Sequence, residues 1–148
     1  MKIYIGFLAK SSLFHWYSGW LFRALGGTPV YRSESNNLVD AVAETFGRYQ
    51  VLNVSIAPEG TRDDVSKLRT GFYYMAHKAN VPLILTGFDW TRKLVVLSEP
   101  LYTTGDYQRD MLPFYEFYAG LAAPHKTWLR NWEKTGEIPA PSSVSSVK

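Results

Sequence analysis

Residues 51–62 read VLNVSIAPEGTR, and this stretch decides the fold. Its first half is largely apolar, which is typical of a strand buried on both faces of a parallel or mixed sheet. The apolar run ends at Ala57-Pro58, and a polar turn that contains Gly60 follows at once. Because ligands of open α/β sheets bind beyond the carboxyl ends of the strands, the stretch predicts an α/β protein with a binding turn at this point.

Strands and helices alternate on both sides of this stretch, as judged from apolar periods of two and of 3.6 residues. The predicted strands cover residues 3–10, 29–32, 51–56, 83–88 and 94–97, and the predicted helices cover residues 11–25, 35–48, 71–80 and 106–118. Pro113 is tolerated only in a first turn or at a kink, so we expect the last of these helices to start near Asp110. The alternation predicts a mixed, mostly parallel sheet flanked by helices.

Composition sets the domain organisation. With 148 residues and 46% hydrophobic content, the chain can bury a real core. We expect a main domain over residues 1–120, an aromatic and basic segment over residues 121–138, and a disordered Pro- and Ser-rich tail over residues 139–148. No internal repeat is apparent.

Several functional classes are excluded by composition and charge. The absence of Cys rules out disulfides, thiolate zinc sites and a Cys nucleophile. The net charge of +3 is dispersed along the chain, which argues against nucleic acid as a partner. No run of 18 apolar residues exists, and the amino-terminal segment lacks the pattern of a signal peptide. We therefore expect a cytoplasmic protein that can attach peripherally to the inner face of the membrane.

Two aromatic segments bear on membrane contact. The predicted helix over residues 11–25 carries aromatic residues around most of its circumference, so part of its surface should meet lipid, an acyl chain or another subunit. In the segment 121–138, a basic face is formed by Lys126, Arg130 and Lys134, and Trp128 and Trp132 lie roughly opposite. That split suits a membrane interface, but packing of the Trp rings on the domain with the basic residues solvated explains it equally well.

The turn after the third strand has the groups that a phosphate requires. Gly60 allows close approach of the backbone, Thr61 offers a hydroxyl, and Arg62 offers a planar fork of donors. Glu59 can hold that guanidinium in place or accept a hydrogen bond from a substrate hydroxyl. The plainer interpretation is a strand-ending turn with a surface Glu-Arg pair.

The surrounding sequence resembles the lysophosphatidate acyltransferase family over residues 1–120. The resemblance is carried by Pro58-Glu59-Gly60-Thr61-Arg62 after an apolar strand, by Lys67 and Arg69-Thr70-Gly71, and by Ala79-Asn80-Val81-Pro82. It implies that Glu59, Gly60, Thr61 and Arg62 help to bind the glycerol phosphate of the acceptor. The Val-Pro block lacks the second Pro that often follows it, so its implied position near the acyl site is less well defined.

The resemblance also implies two further cations at the phosphate. Residues 27–32, which read GTPVYR, resemble the family's upstream block, with Tyr31 where Asp is usual and Arg32 as the second arginine. Lys10 stands at the end of the first predicted strand, where the family often has a phosphate-facing Lys. Arg32 as a surface ion-pair partner and Lys10 as a solvated residue are the plainer alternatives.

The family's catalytic pair, His-x-x-x-x-Asp, does not occur in the sequence. In the family, the His takes the proton from the acceptor hydroxyl as it attacks an acyl thioester, and the Asp orients the imidazole. His15, His77 and His125 are followed five residues later by Trp20, Pro82 and Arg130. We expect all three His to be structural, the chain to begin just after the family's dyad, and the turnover of this chain alone to be low or absent.

The resemblance implies transfer of an acyl group to a lysophosphatidate-like acceptor in phospholipid biosynthesis at a membrane surface. Acyl-CoA or acyl carrier protein would be the donor, consumed as a substrate, with no metal or bound cofactor. The alternative is a non-catalytic module that binds phospholipid or acyl chains, since the phosphate turn is intact and the general base is missing.

Overall fold

The computed structural model describes residues 5–10, 27–30 and 35–141, with side chains described from residue 38 onward. The elements, numbered here in chain order, are strands β1 (Ile5–Lys10), β2 (Gly27–Val30), β3 (Asn53–Ser55), β4 (Thr86–Asp89) and β5 (Leu94–Leu97), and helices α1 (Ser35–Arg48), α2 (Gly71–Ala79), α3 (Tyr107–Ala119) and α4 (Thr127–Thr135). The described residues form two compact units that meet in sequence between Ala57 and Pro58. The helix predicted over residues 11–25 lies outside the described residues, as does most of the predicted disordered tail.

The first unit contains a parallel sheet. β1 pairs in parallel with β2 and with β3, in register Phe7 to Gly27 and Ile5 to Asn53. The predicted strand over residues 51–56 is shorter than expected, and its burial on both faces is wrong, because Val51 is 77% exposed. In the described sheet β3 is an end strand, next to β1.

α1 has the amphipathic pattern that the sequence predicts. Val42 is buried on its apolar face, and Val39 and Phe46 are half-buried beside it. On the opposite side Glu44 and Arg48 form an exposed ion pair one turn apart. The stripe is therefore packed while the charged residues are solvated, as the 3.6-residue period requires.

The second unit contains an antiparallel hairpin. β4 pairs with β5 in the register Phe88 to Val95, and the connection spans only residues 90–93. The prediction of one mixed sheet is corrected here, because the described strands form two separate sheets. A connection this short can only join antiparallel neighbours, since a parallel pair needs a crossover of about a dozen residues. The broader α/β class is confirmed.

Asp89 closes the turn of this hairpin. Its carboxylate accepts hydrogen bonds from the backbone N–H and the Nε of Arg92, both at 2.8 Å. These bonds hold the pKa of Asp89 below its ordinary value, although the side chain is almost fully buried. Lys93 completes the turn with a left-handed φ of 54°.

The core of the second unit lies between α2, α3 and α4. Its most buried side chains are Tyr73, Met111 and Tyr115. Phe114 stacks on Phe72 with ring centroids 5.5 Å apart and lies 6.0 Å from the ring of Trp128, so one side chain of α3 joins all three helices. No helix in the described part of the chain has the length and apolar character to cross a bilayer.

α3 begins earlier than its proline suggested. Asp106 caps the helix by accepting a hydrogen bond from the backbone N–H of Arg109 at 3.2 Å, so Pro113 lies inside the helix. A proline there removes one hydrogen bond of the helix. The adjacent Phe114 and Tyr115 are buried in the core, and their burial offsets this cost.

Asp110 organises the residues before α3. Its carboxylate accepts hydrogen bonds from the buried Tyr73 hydroxyl at 2.8 Å, from the hydroxyl and backbone N–H of Thr104 at 2.7 Å each, and from the backbone N–H of Gly105 at 3.2 Å. Partial burial acts to raise the pKa of Asp110, but these hydrogen bonds outweigh it and hold the pKa below the ordinary 3.8.

An Asp110→Asn variant is expected to change how stability depends on pH. Because the pKa of Asp110 is lower in the folded state, its carboxylate stabilises the fold fully above the unfolded pKa near 3.8, and this contribution is lost as the pH falls through the folded value. The variant should be less stable than the wild type at pH 7, and the difference should shrink toward about pH 2. Urea unfolding across this range measures it, and parallel pH profiles would contradict the assignment.

Candidate functional site

The predicted binding turn lies within a compact surface loop, residues 58–70, that precedes α2. The backbone N–H of Arg69 donates to the carbonyl of Pro58 at 2.8 Å, which closes the loop at its two ends. Leu68 is buried in the core, and the half-buried Val65 packs against it. The 58–70 loop is therefore anchored from below, while its polar residues stay at the surface.

Gly60 is required by both its conformation and its surroundings. Its φ of +68° lies in the left-handed region that side chains disfavour. A Cβ at this position would lie 2.7 Å from Cδ and Nε of Arg69. The Arg69 side chain thus lies directly against the turn, so the loop places a second guanidinium near Gly60.

Thr61 stabilises the turn from within. Its hydroxyl donates to Oδ2 of Asp63 at 3.1 Å and accepts a hydrogen bond from the backbone N–H of the same residue at 3.2 Å. Such a pair of short-range bonds is typical of turns that begin with Thr. A ligand that uses the Thr61 hydroxyl must therefore compete with Asp63.

Glu59 is directed toward α4. Its Oε1 accepts a hydrogen bond from Nε1 of Trp128 at 3.1 Å, and its Oε2 lies 3.7 Å from Nζ of Lys126. Within the described residues no bond joins Glu59 to Arg62, so the expected role of holding that guanidinium is not the one seen. The buried Trp128 provides a fixed donor that a flexible surface arginine does not.

Asp64 is, after Glu59, the second carboxylate of the loop with hydrogen-bond donors in α4. It accepts hydrogen bonds from the hydroxyl of Thr127 at 2.6 Å and from its backbone N–H at 2.9 Å, and Arg130 lies 3.5 Å away. The two bonds from Thr127, together with the positive charges of Arg130 and Lys126, hold the pKa of Asp64 below its ordinary value. Asp64 is therefore ionised and held at the first turn of α4 at neutral pH.

The charges of the loop are unequally partnered. Its carboxylates, those of Glu59, Asp63 and Asp64, all accept hydrogen bonds from nearby groups. Its cations are Arg62, Lys67 and Arg69; all three are exposed, and no ion pair within residues 5–10, 27–30 and 35–141 involves them. The loop thus presents exposed positive groups, of which Arg69 lies against Gly60, and such groups suit an anion.

The other predicted site residues fall at or beyond the limits of the description. Lys10 is the last residue of β1, as expected, but its side chain is not described. Arg32 lies outside the described residues. A shared phosphate site formed by Arg62, Arg32 and Lys10 stays a prediction.

The described histidines have structural partners. Nδ1 of His77 lies 2.9 Å from the hydroxyl of Thr103, and Nδ1 of His125 lies 2.8 Å from Oε1 of Glu133. His15 lies outside the described residues. In the part of the chain that the structure describes, no group of three His, Asp or Glu side chains could hold a metal ion.

Sequence reasoning missed the contribution of α4 to this site. Of the two interpretations of the segment 121–138, the structure shows packing: Trp128 is 6% exposed, and Arg130 and Lys134 are solvated. The hydrogen bond to Glu59 spans 69 residues, a separation at which no periodicity or motif links two positions. The only available signal was a pair of tryptophans too large to leave solvated.

Comparison with known proteins gave one match. A family model described as "Acyltransferase" matches residues 4–86, which is more than half of the chain. The matched residues include the turn from Glu59 to Arg62 and end in β4, so α3 and α4 lie beyond them. Neither the curated proteins nor the solved structures gave a match.

Proposed function

Because the chain belongs to the acyltransferase family of lysophosphatidate and glycerolipid acyltransferases, we propose that its 58–70 loop binds the phosphate of a lysophosphatidate-like acceptor. Arg62 is the principal phosphate ligand in this proposal. The observation that supports it is that the loop's exposed cations form no ion pair within the described residues, while its carboxylates are all held by other groups. The fork of a guanidinium matches two oxygens of a phosphate, and each such charge-assisted bond is stronger than a neutral one.

The proposal extends to the remaining partners. Arg32 and Lys10 would contribute further positive charge to the same phosphate, and acyl-CoA or acyl carrier protein would supply the acyl group as a substrate. Such chemistry belongs to phospholipid biosynthesis, at the cytoplasmic surface of a membrane to which the protein attaches peripherally. The modest positive charge of +3 supports attraction to an anionic surface.

Acyl transfer also needs a base for the acceptor hydroxyl. As that oxygen bonds to the acyl carbon, the C–S bond of the thioester breaks and the hydroxyl proton must be taken up. The 148 residues contain no His followed five positions later by Asp, so we propose that they bind the acceptor but turn it over slowly by themselves. A non-catalytic phospholipid-binding module is the second candidate, because it needs the loop and no base.

Arg62→Ala is expected to weaken acceptor binding by at least about tenfold, since it removes charge-assisted bonds to the phosphate. Isothermal titration with lysophosphatidate at fixed salt measures the Kd. Arg109→Ala is the matched control, because it removes the same charge from an exposed position on α3. That variant should bind within about twofold of the wild type.

Three outcomes decide between the interpretations. Equal Kd values for the two variants would contradict a phosphate site at Arg62. An additional loss in an Arg62→Ala, Arg32→Ala double variant would support a shared site. Equal binding of anionic liposomes by the wild type and that double variant would argue against phosphate recognition in the binding-module alternative.

A further inference from the structure

We infer that α4, which lies beyond the family-matched residues, is a positioning element that holds two of the three carboxylates near Arg62, those of Glu59 and Asp64, away from it. The inference rests on the proposed function of the 58–70 loop. Glu59 precedes Arg62 by three positions and Asp64 follows it by two. Both accept hydrogen bonds from consecutive residues at the start of α4, Trp128 and Thr127.

The consequence of these bonds is electrostatic. A free carboxylate within three residues of Arg62 could reach its guanidinium and form an internal ion pair. Such a pair would compete with an incoming phosphate for the same donors. Glu59 is held by Trp128 and Lys126, and Asp64 by Thr127 and Arg130, while Asp63 accepts a hydrogen bond from the Thr61 hydroxyl within the loop. The guanidinium of Arg62 therefore stays available.

Trp128 is a rigid anchor for this arrangement. Its ring is 6% exposed and lies 5.4 Å from the ring of Tyr115 and 5.8 Å from that of Tyr118, edge-on in both cases. The core therefore determines where its indole N–H points. A donor of fixed direction can orient Glu59, whereas a solvated side chain would lose rotamer entropy on making the same contact.

α4 also provides the matched control. Trp132, one turn after Trp128, likewise packs against Tyr115, with ring centroids 5.4 Å apart. Its Nε1 is buried without a hydrogen-bond partner in the described part of the chain. Trp128→Phe and Trp132→Phe thus make the same chemical change on the same helix and core, but only the first removes a bond to the loop.

The test uses the full chain and lysophosphatidate as the probe. Trp128→Phe is expected to raise the Kd about fivefold, the upper range of what one exposed ion pair supplies. Trp132→Phe should leave the Kd within about twofold of the wild type. Combining Trp128→Phe with Glu59→Gln should restore the affinity, because the released side chain then carries no charge. A merely structural role of Trp128 predicts no such rescue.

A measurement without ligand complements the titration. Hydrogen exchange of the backbone amides of residues 59–64 should be faster in Trp128→Phe than in Trp132→Phe, because only the first removes a bond between the loop and α4. Equal exchange in the two variants, equal Kd values, or failure of Glu59→Gln to restore binding would each overturn the inference. If Arg62→Ala weakens binding and Trp128→Phe does not, the positioning role alone fails. If the wild type does not bind, or Arg62→Ala binds as well, the proposed function fails and the inference with it.

Discussion

Replacing Phe114 with alanine is expected to lower the free energy of unfolding of the second unit by about 3–5 kcal/mol, the usual cost of removing a buried phenyl ring. Phe114 is 3% exposed. Its ring contacts Phe72 of α2, Tyr118 of α3 and Trp128 of α4, at centroid distances of 5.5, 4.9 and 6.0 Å. No other single ring of α3 joins both neighbouring helices in the described contacts, so the cavity cannot be filled by a shift of one helix alone.

Leu112→Ala is the matched control for this prediction, because Leu112 lies on the same helix two residues away and is 43% exposed. Its loss should change stability by about 0.5 kcal/mol or less. Urea unfolding followed by tryptophan fluorescence measures the difference. If both variants lose the same amount, the aromatic cluster around Phe114 does not provide the main support of the unit.

The Phe114 variant also connects stability with the site. Trp128 packs on Phe114 and donates to Glu59, so a cavity beneath the indole loosens the donor that orients this carboxylate. We therefore expect the affinity for the acceptor to fall in this variant even where it remains folded. Trp128 thus connects the core with the 58–70 loop through a single side chain.

Periodicity predicted the helices of this protein well where one face of the helix is packed. In residues 71–80 the helical spacing of Phe72, Met75, Ala76 and Ala79 indicates one core-packed face; the first three are buried and Ala79 is half-buried. Tyr73 is not part of that spacing, yet it is 1% exposed. Its hydroxyl donates a hydrogen bond to Asp110, 37 residues away, and this bond offsets the cost of burying a polar atom. A tertiary partner of that kind has no signal in the local pattern.

The candidate site likewise has one part that the sequence predicted and one part that it did not. The residue types of Gly60 and Arg62 were sufficient to predict a polar turn after the strand, and the structure adds the left-handed φ of Gly60 and the exposure of Arg62. The partners of Glu59 were not predictable, because a Glu three positions before an Arg suggests a local ion pair, whereas the observed partner is an indole of α4. Likewise, β4 and β5 are antiparallel because only four residues connect them, and the apolar content of the two strands does not reveal this orientation.

Supplying a His-x-x-x-x-Asp segment upstream of residue 4 is expected to raise acyl transfer to lysophosphatidate by about a hundredfold to ten-thousandfold, the usual contribution of a positioned general base. The 58–70 loop would hold the acceptor phosphate, and the added imidazole would take the proton of the hydroxyl as it attacks the thioester. A fusion that carries the dyad-bearing segment of a glycerolipid acyltransferase, assayed with acyl-CoA, measures this effect as kcat/KM.

The same fusion with Ala in place of the added His is its control, because it keeps the extra segment and removes only the base. Activity that depends on this His and is lost with Arg62→Ala would show that base and loop act on one substrate. Equal and measurable activity of the fusion and the original chain would mean that residues 1–148 supply a base of their own. A fusion that binds lysophosphatidate but remains inactive would favour the non-catalytic module, because binding without turnover is what the loop provides alone.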